Sequence, residues 1–273
     1  MRTKILITGI SSGIGLGLAQ SYLERGADVY GVSRRPSEKL GNYPNFTFQS
    51  IDLENLEELK NVCAQCLPKE VKFDLVILNA GVHGPIGDVN EIKLAEFFSV
   101  MNVNTWANKV LLDSLFHLGS NIKQVTAISS HAGTHAFRGS APYCMSKAAL
   151  NMLMALYATE RPKTHFSAVA PPLVDTAIQD YLTAFPSDPR FAPIDHLKFA
   201  KETGRMLSPE AAAEILINAF QTALTRPSGS FVDASGTPSP SLFQEATNVS
   251  LKKTQKEPGI IPRRLRTRSL AGS

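Results

Sequence analysis

Cysteine is scarce in this chain. Three cysteines (Cys63, Cys66, Cys144) in 273 residues cannot build a disulfide framework. Cys63-x-x-Cys66 has no second pair to complete a zinc site, so no bound metal is expected. Long apolar runs are missing too. None approaches the ~20 residues that a membrane-spanning helix needs, and no membrane partner is expected. The first residues, MRTKILITG, set basic before apolar positions as a secretory leader does. Their apolar run is very short and glycine-broken, so a cytoplasmic protein with reduced thiols is expected. Internal repeats are absent, and no linker interrupts the chain before about residue 238. A large charge imbalance is also lacking. Seven of the 28 Lys and Arg residues fall within residues 249–273 against one acid, Glu257, which leaves 21 basic and 23 acidic residues elsewhere. Residues 239–273 lose periodicity and gain Pro, Ser and basic residues, as expected of a basic, disordered tail. That tail has little aromatic interleaving, so no nucleic-acid partner is expected.

Residues 1–238 alternate short apolar, β-branched runs with helical periodicity. Strands are predicted at residues 4–8, 28–33, 46–52, 73–81, 124–130, 164–172 and 229–236. Helical patterns fill most of the intervals, including one long pattern over 93–118. The last helix carries Ser208 as N-cap and Pro209 at its first position. Buried strands alternating with helices predict an α/β, doubly wound parallel sheet of the Rossmann type, in one domain of about seven strands with helices on both faces. Residues 177–207 are read as an irregular substrate loop, rich in apolar side chains such as Ile178, Tyr181, Leu182 and Phe185.

The first strand runs into Thr8-Gly9-Ile10-Ser11-Ser12-Gly13-Ile14-Gly15 and then a helix. Glycines at a strand-to-helix turn let main chain approach a pyrophosphate, and the helix N-terminus supplies N–H groups. Thr8, Gly9, Ser11, Ser12, Gly13, Ile14 and Gly15 are therefore candidate dinucleotide contacts. The second strand ends in Ser33-Arg34-Arg35. A carboxylate there would take the ribose 2′-hydroxyl of NAD, whereas arginine suits the 2′-phosphate of NADP. Ser33 and Arg34 thus point to NADP(H) over NAD(H).

Tyr143 and Lys147 lie four apart, on one face of a predicted helix. Ser130 lies thirteen residues before Tyr143. A phenol, an ammonium and a hydroxyl that converge can pass a proton to a carbonyl oxygen. Tyrosine titrates near 10, and a neighbouring Lys⁺ favours the phenolate. Ser129 competes with Ser130 for this place, and Asn102 with Asn104. His131 and His135 follow the serine and are read as loop residues.

In this order and spacing the elements resemble the short-chain dehydrogenase/reductase family over residues 3 to about 237. The resemblance rests on the glycine loop, Asp52-Leu53, Asn79-Ala80-Gly81, Asn104, Ser130, Tyr143-x-x-x-Lys147 and Thr176. A finer likeness, SGSFVDASGTPSPS, is to the ending of C-factor-like and sniffer-like carbonyl reductases. The resemblance implies a nicotinamide-dependent oxidoreductase acting on a carbonyl or secondary alcohol. Tyr143 would exchange the proton, Lys147 would tune it and hold the nicotinamide ribose, and Ser130 would hydrogen-bond the substrate oxygen. Asn104 would hold a water leading to Lys147. Asp52 and Leu53 would flank the adenine, and Asn79, Ala80 and Gly81 would line the adenosine ribose. Thr176, with Pro171 and Val174 before it, would meet the nicotinamide. Pro171-Pro172 departs from the family's usual Pro-Gly and stiffens that turn. Family members often associate through their long helices, so a homodimer or homotetramer is implied. A cofactor-binding regulatory protein on the same fold is the alternative function, although it would not need Tyr143, Lys147 and Ser130.

Overall fold

A computed structural model describes residues 2–235. The expected boundary near residue 238 and the basic tail at 239–273 lie outside the described residues. Seven parallel strands form one sheet: β1 (Lys4–Thr8), β2 (Asp28–Ser33), β3 (Phe46–Ser50), β4 (Lys72–Leu78), β5 (Asn121–Ile128), β6 (His165–Ala170) and β7 (Ser230–Asp233). Their order across the sheet is β3-β2-β1-β4-β5-β6-β7. Chain order reverses between β1 and β4, where an open α/β sheet offers its crevice. The helices are α1 (Gly13–Glu24), α2 (Leu56–Cys66), α3 (Leu94–Met101), α4 (Ala107–His117), α5 (Ala141–Glu160), α6 (Ala177–Ala184), α7 (Ala192–Glu202) and α8 (Pro209–Ala223).

Alternation along each strand divides the core into two layers. On one face Leu6, Val76, Val125 and Phe166 pack with Cys63 of α2, Leu111 of α4 and Met154 of α5. On the other Ile5, Ile77, Val169 and Val232 pack with Leu18 of α1 and Phe220 of α8. Strands buried on both faces explain the near-continuous apolar runs. Ser208 caps α8 by accepting from the Ala211 N–H at 3.2 Å.

The structure departs from the sequence reading in two places. The pattern over 93–118 is not one regular helix, because a π-helical segment, Asn102–Trp106, separates α3 from α4. Residues 177–207 are not an irregular loop. They form α6, α7 and a short 3₁₀ turn (Pro189–Phe191). Ile178, Tyr181 and Leu182 are spaced three and four apart within α6, which lays them along one helical side, and Phe185 follows its end. Leu182, Phe191 and Ile194 are buried there.

Candidate active site

The turn after β1 depends on glycine. Gly9 has φ +75°, and a Cβ on Gly15 would sit 2.2 Å from the Gly9 carbonyl oxygen. No side chain larger than hydrogen fits that approach. The turn is tied to the end of β4. Thr8 Oγ1 accepts from the Asn79 and Ala80 N–H groups at 2.9 and 3.0 Å. Asn79 Nδ2 donates to the Thr8 and Gly9 carbonyls at 2.9 and 3.2 Å. Helix α1 then begins with Ser12 as N-cap, with no side-chain capping bond and no acid in its first turn. Its N–H groups and dipole face the turn without a competing carboxylate, as an anion cradle requires. Thr176, beyond β6, crosses to the same place, since a Cβ on Gly13 would meet its methyl at 3.2 Å.

At the end of β2 the Ser33 hydroxyl donates to the Arg35 carbonyl at 2.5 Å. The Arg34 carbonyl accepts from Ser50 Oγ at 3.2 Å. Both arginines are exposed beside the turn. Asp52 is exposed and accepts from the Glu54 N–H at 3.0 Å. The Leu53 side chain belongs to the core. Pro171 is half-buried, while Val174 is buried and bridges to Leu207.

The reacting groups meet at the ends of β5 and α5. Ser130 leaves the ladder as N-cap of a short 3₁₀ turn and accepts from the Ala132 N–H at 3.1 Å. Its hydroxyl lies close enough to the Tyr143 phenol to draw the phenol's pKa down. Ser129 faces away and donates to Asn151 Oδ1 at 2.5 Å. Burial is the largest influence on Tyr143 and pushes its pKa up to about 12, while Ser130 pulls it back. Lys147 is 3% exposed, and burial brings its ammonium down to about 8. Lys147 Nζ donates to the Ile128 carbonyl at 2.7 Å and lies 5.6 Å from the centre of the Tyr143 ring. The ammonium therefore sits over the ring and against the end of β5.

Asn104 is fully buried in the π-helical segment. Its side chain is hydrogen-bonded to Val82 and Ser146. Oδ1 accepts from the Val82 N–H at 2.8 Å, and Nδ2 donates to the Val82 carbonyl at 2.8 Å and to Ser146 Oγ at 2.9 Å. Asn104 and Lys147 both border Gly81, with Oδ1 and Nζ within 3.2 and 3.5 Å of where its Cβ would stand.

Two side chains at the site, His83 and Ser140, escape the sequence reading. His83, after Asn79-Ala80-Gly81, stacks on Tyr143 with ring centres 5.0 Å apart and planes at 25°. Tyr181 of α6, within the segment read as the substrate loop, has its ring centre 6.1 Å from that of His83. Ser140 joins His83 to α5. A lone histidine in a loop carries no periodic signal. His131 instead pairs with Asp233 at 2.9 Å, and His135 meets its neighbour Thr134.

The family profile described as short chain dehydrogenase matches residues 3–186. The chain belongs to this family. It is similar to the benzil reductase ((S)-benzoin forming) of Bacillus cereus, 29% identical over 234 residues that cover 80% of this chain and 94% of that protein. The Bacillus subtilis protein of that name is 30% identical over 229 residues, covering 79% and 92%. Among solved structures, the Saccharomyces cerevisiae short-chain dehydrogenase/reductase YIR035C superposes with a TM-score of 0.72 at 25% identity, covering 86% of this chain and 97% of that one. This short-chain dehydrogenase is thus an NAD(P)-dependent oxidoreductase on a Rossmann-type sheet. Among its described residues no helix is long and apolar enough to cross a membrane.

Proposed function

We propose that this dehydrogenase reduces apolar or aromatic carbonyl compounds with NADPH, and that Tyr143 is the proton donor. The observation that carries the reading is the buried Lys147 ammonium over the Tyr143 ring, held by the Ile128 carbonyl where β5 runs out toward Ser130. The glycine turn and the N-terminus of α1 would hold the pyrophosphate. Arg34 and Arg35, with Ser33 in place of an acid, would hold a 2′-phosphate. The bound nicotinamide would supply the hydride. Tyr143 then gives its proton to the carbonyl oxygen while Ser130 donates a hydrogen bond to that oxygen, yielding the alcohol. Thr176 would meet the nicotinamide, and Lys147 its ribose. Tyr181, 46% exposed on α6, offers an aromatic surface beside His83, the ring that stacks on the phenol. The benzil reductases extend that argument to aryl diketones.

Absorbance of NADPH at 340 nm, followed with benzil and with aliphatic and steroid-like ketones, tests the reading. Turnover of the aryl ketones is expected, with Tyr143→Phe binding NADPH yet losing about 10²–10⁴-fold in kcat. Full activity in that variant would exclude Tyr143 as the donor.

We further propose a homo-oligomer. Leu94 and Phe98 of α3, Trp106, and Met145, Met152 and Leu156 of α5 are large apolar side chains left exposed. Apolar surface of this kind marks interfaces. Light scattering of wild type and Met152→Glu tests it, with a fall in mass expected for the variant.

A further inference from the structure

We propose that His83 is a positioning residue for Tyr143: its ring is the wall against which the phenol rests, and its Nε2 ties that wall to Ser140 at the start of the helix carrying the phenol. The inference rests on Tyr143 being the proton donor.

Burial, stacking and hydrogen bonding point the same way. His83 is 5% exposed, so it has almost no surface to offer a substrate. Its ring is spent on Tyr143, nearly parallel at 25° and 5.0 Å between centres. Stacking at that separation favours one orientation of a phenol otherwise able to swing.

The tautomer follows from the partners. Nδ1 lies 3.1 Å from the Gly84 carbonyl oxygen, which can only accept. Nδ1 therefore carries the proton of the neutral ring, and Nε2 is an acceptor. Nε2 lies 3.1 Å from Ser140 Oγ, which must then donate. Burial holds His83 below its ordinary range, which keeps this neutral arrangement at neutral pH.

Ser140 strengthens the argument. It is the N-cap of α5, a place where serine ordinarily turns its oxygen onto the helix N–H groups. Here it makes no side-chain capping bond. Its hydroxyl goes to His83 instead. Gly84 is equally committed. With φ +80° and Val100 within 2.5 Å of a would-be Cβ, that position accepts glycine alone. The carbonyl that fixes the tautomer is thereby aimed.

Val82 and His83 thus hold α5 on both sides of Tyr143. Asn104 links Val82 to Ser146, after the phenol, and His83 links to Ser140, before it. A reacting oxygen misplaced by ~1 Å costs on the order of 10²-fold in rate.

Three substitutions separate the ring from the hydrogen bond. His83→Ala removes both, His83→Phe keeps the stack, and His83→Gln keeps a partner for Ser140 without the ring. Turnover of benzil with NADPH, NADPH affinity by fluorescence, melting temperature and the ¹³Cζ titration of labelled Tyr143 are measured for each. His83→Ala should lose about 10- to 100-fold in kcat with unchanged NADPH affinity. Its Tyr143 signal should titrate at lower pH as water reaches the phenol. His83→Phe should recover most of the kcat, whereas His83→Gln should recover melting temperature but not kcat. Wild-type kcat and an unshifted titration in His83→Ala would overturn the proposal, and so would a His83→Phe no better than a His83→Gln. If the alanine variant does not fold, the Phe–Gln comparison decides alone. Tyr143→Phe run in parallel separates the two levels. An active Tyr143→Phe sinks the assignment of the proton donor, while an inert one beside wild-type-like His83 variants sinks only the role of His83.

Discussion

Replacing Lys147 with methionine isolates a charge that the fold buries. An ordinary lysine titrates at 10.5, and burial brings Lys147 to about 8 in the folded protein. Between those values the unfolded chain holds a proton that the folded protein has lost, so the contribution of this group to stability rises with pH. Below about 8 both states are charged, and the folded state bears the full desolvation cost. Each pH interval of one between the two values is worth ~1.4 kcal/mol, which makes that cost about 3 kcal/mol. Lys147 is 3% exposed, so screening by solvent takes little away. Raising the pH from about 7 to about 9.5 relieves about 2 kcal/mol of it. Methionine has a similar length and no charge, and is blind to this titration. Urea unfolding followed by circular dichroism, for wild type and Lys147→Met across that window, gives the difference in unfolding free energy. Other groups titrate alike in both proteins and cancel. The difference should move by about 2 kcal/mol toward wild type as pH rises. A difference flat to within about 0.5 kcal/mol would refute the reasoning, since the ammonium would then be hydrated in the folded protein.

Arg34→Ala should raise the KM for NADPH by about 10- to 100-fold, the worth of a charged hydrogen bond, and leave that for NADH unchanged. Initial rates with both cofactors check this. Asn104→Ala removes three buried hydrogen bonds of 2.8, 2.8 and 2.9 Å. At about 1 kcal/mol each it should cost about 3 kcal/mol in urea unfolding. Gly15→Ala drives a methyl to within 2.2 Å of the Gly9 carbonyl. It should abolish NADPH binding in a fluorescence titration and lower stability by about 1–3 kcal/mol.

The sheet is legible in the sequence because each strand is buried on both faces, and a continuous apolar run is the signature of that environment. Strand ends read too long. Ser129 and Ser130 look like strand, but their hydroxyls turn to Asn151 and to the Ala132 N–H where the strand ends. Tyr143, Lys147 and Ser130 can be found because two lie on one helix at fixed spacing and the third closes a strand. Residues 177–207 mislead because Pro186, Pro189 and Pro193 suggest breaks. Proline is compatible with a first helical turn, and Pro193 sits there in α7. His83 is illegible for a different reason. Its partners are Tyr143 and Ser140, some sixty residues away, and no local pattern encodes such a contact.

The π-helical turn at Asn102–Trp106 also sets a rule of length. One surplus residue is wound into the turn between α3 and α4, and each residue advances a helix by ~100°. The two halves are therefore phased to each other by that surplus. Substitutions can be absorbed side chain by side chain, but a one-residue deletion would restore a plain α-helix and rotate everything before it. Either Asn104 would turn from Val82 or α3 would lose its seat. Relatives that keep this site should vary in the letters of this helix and hold its length.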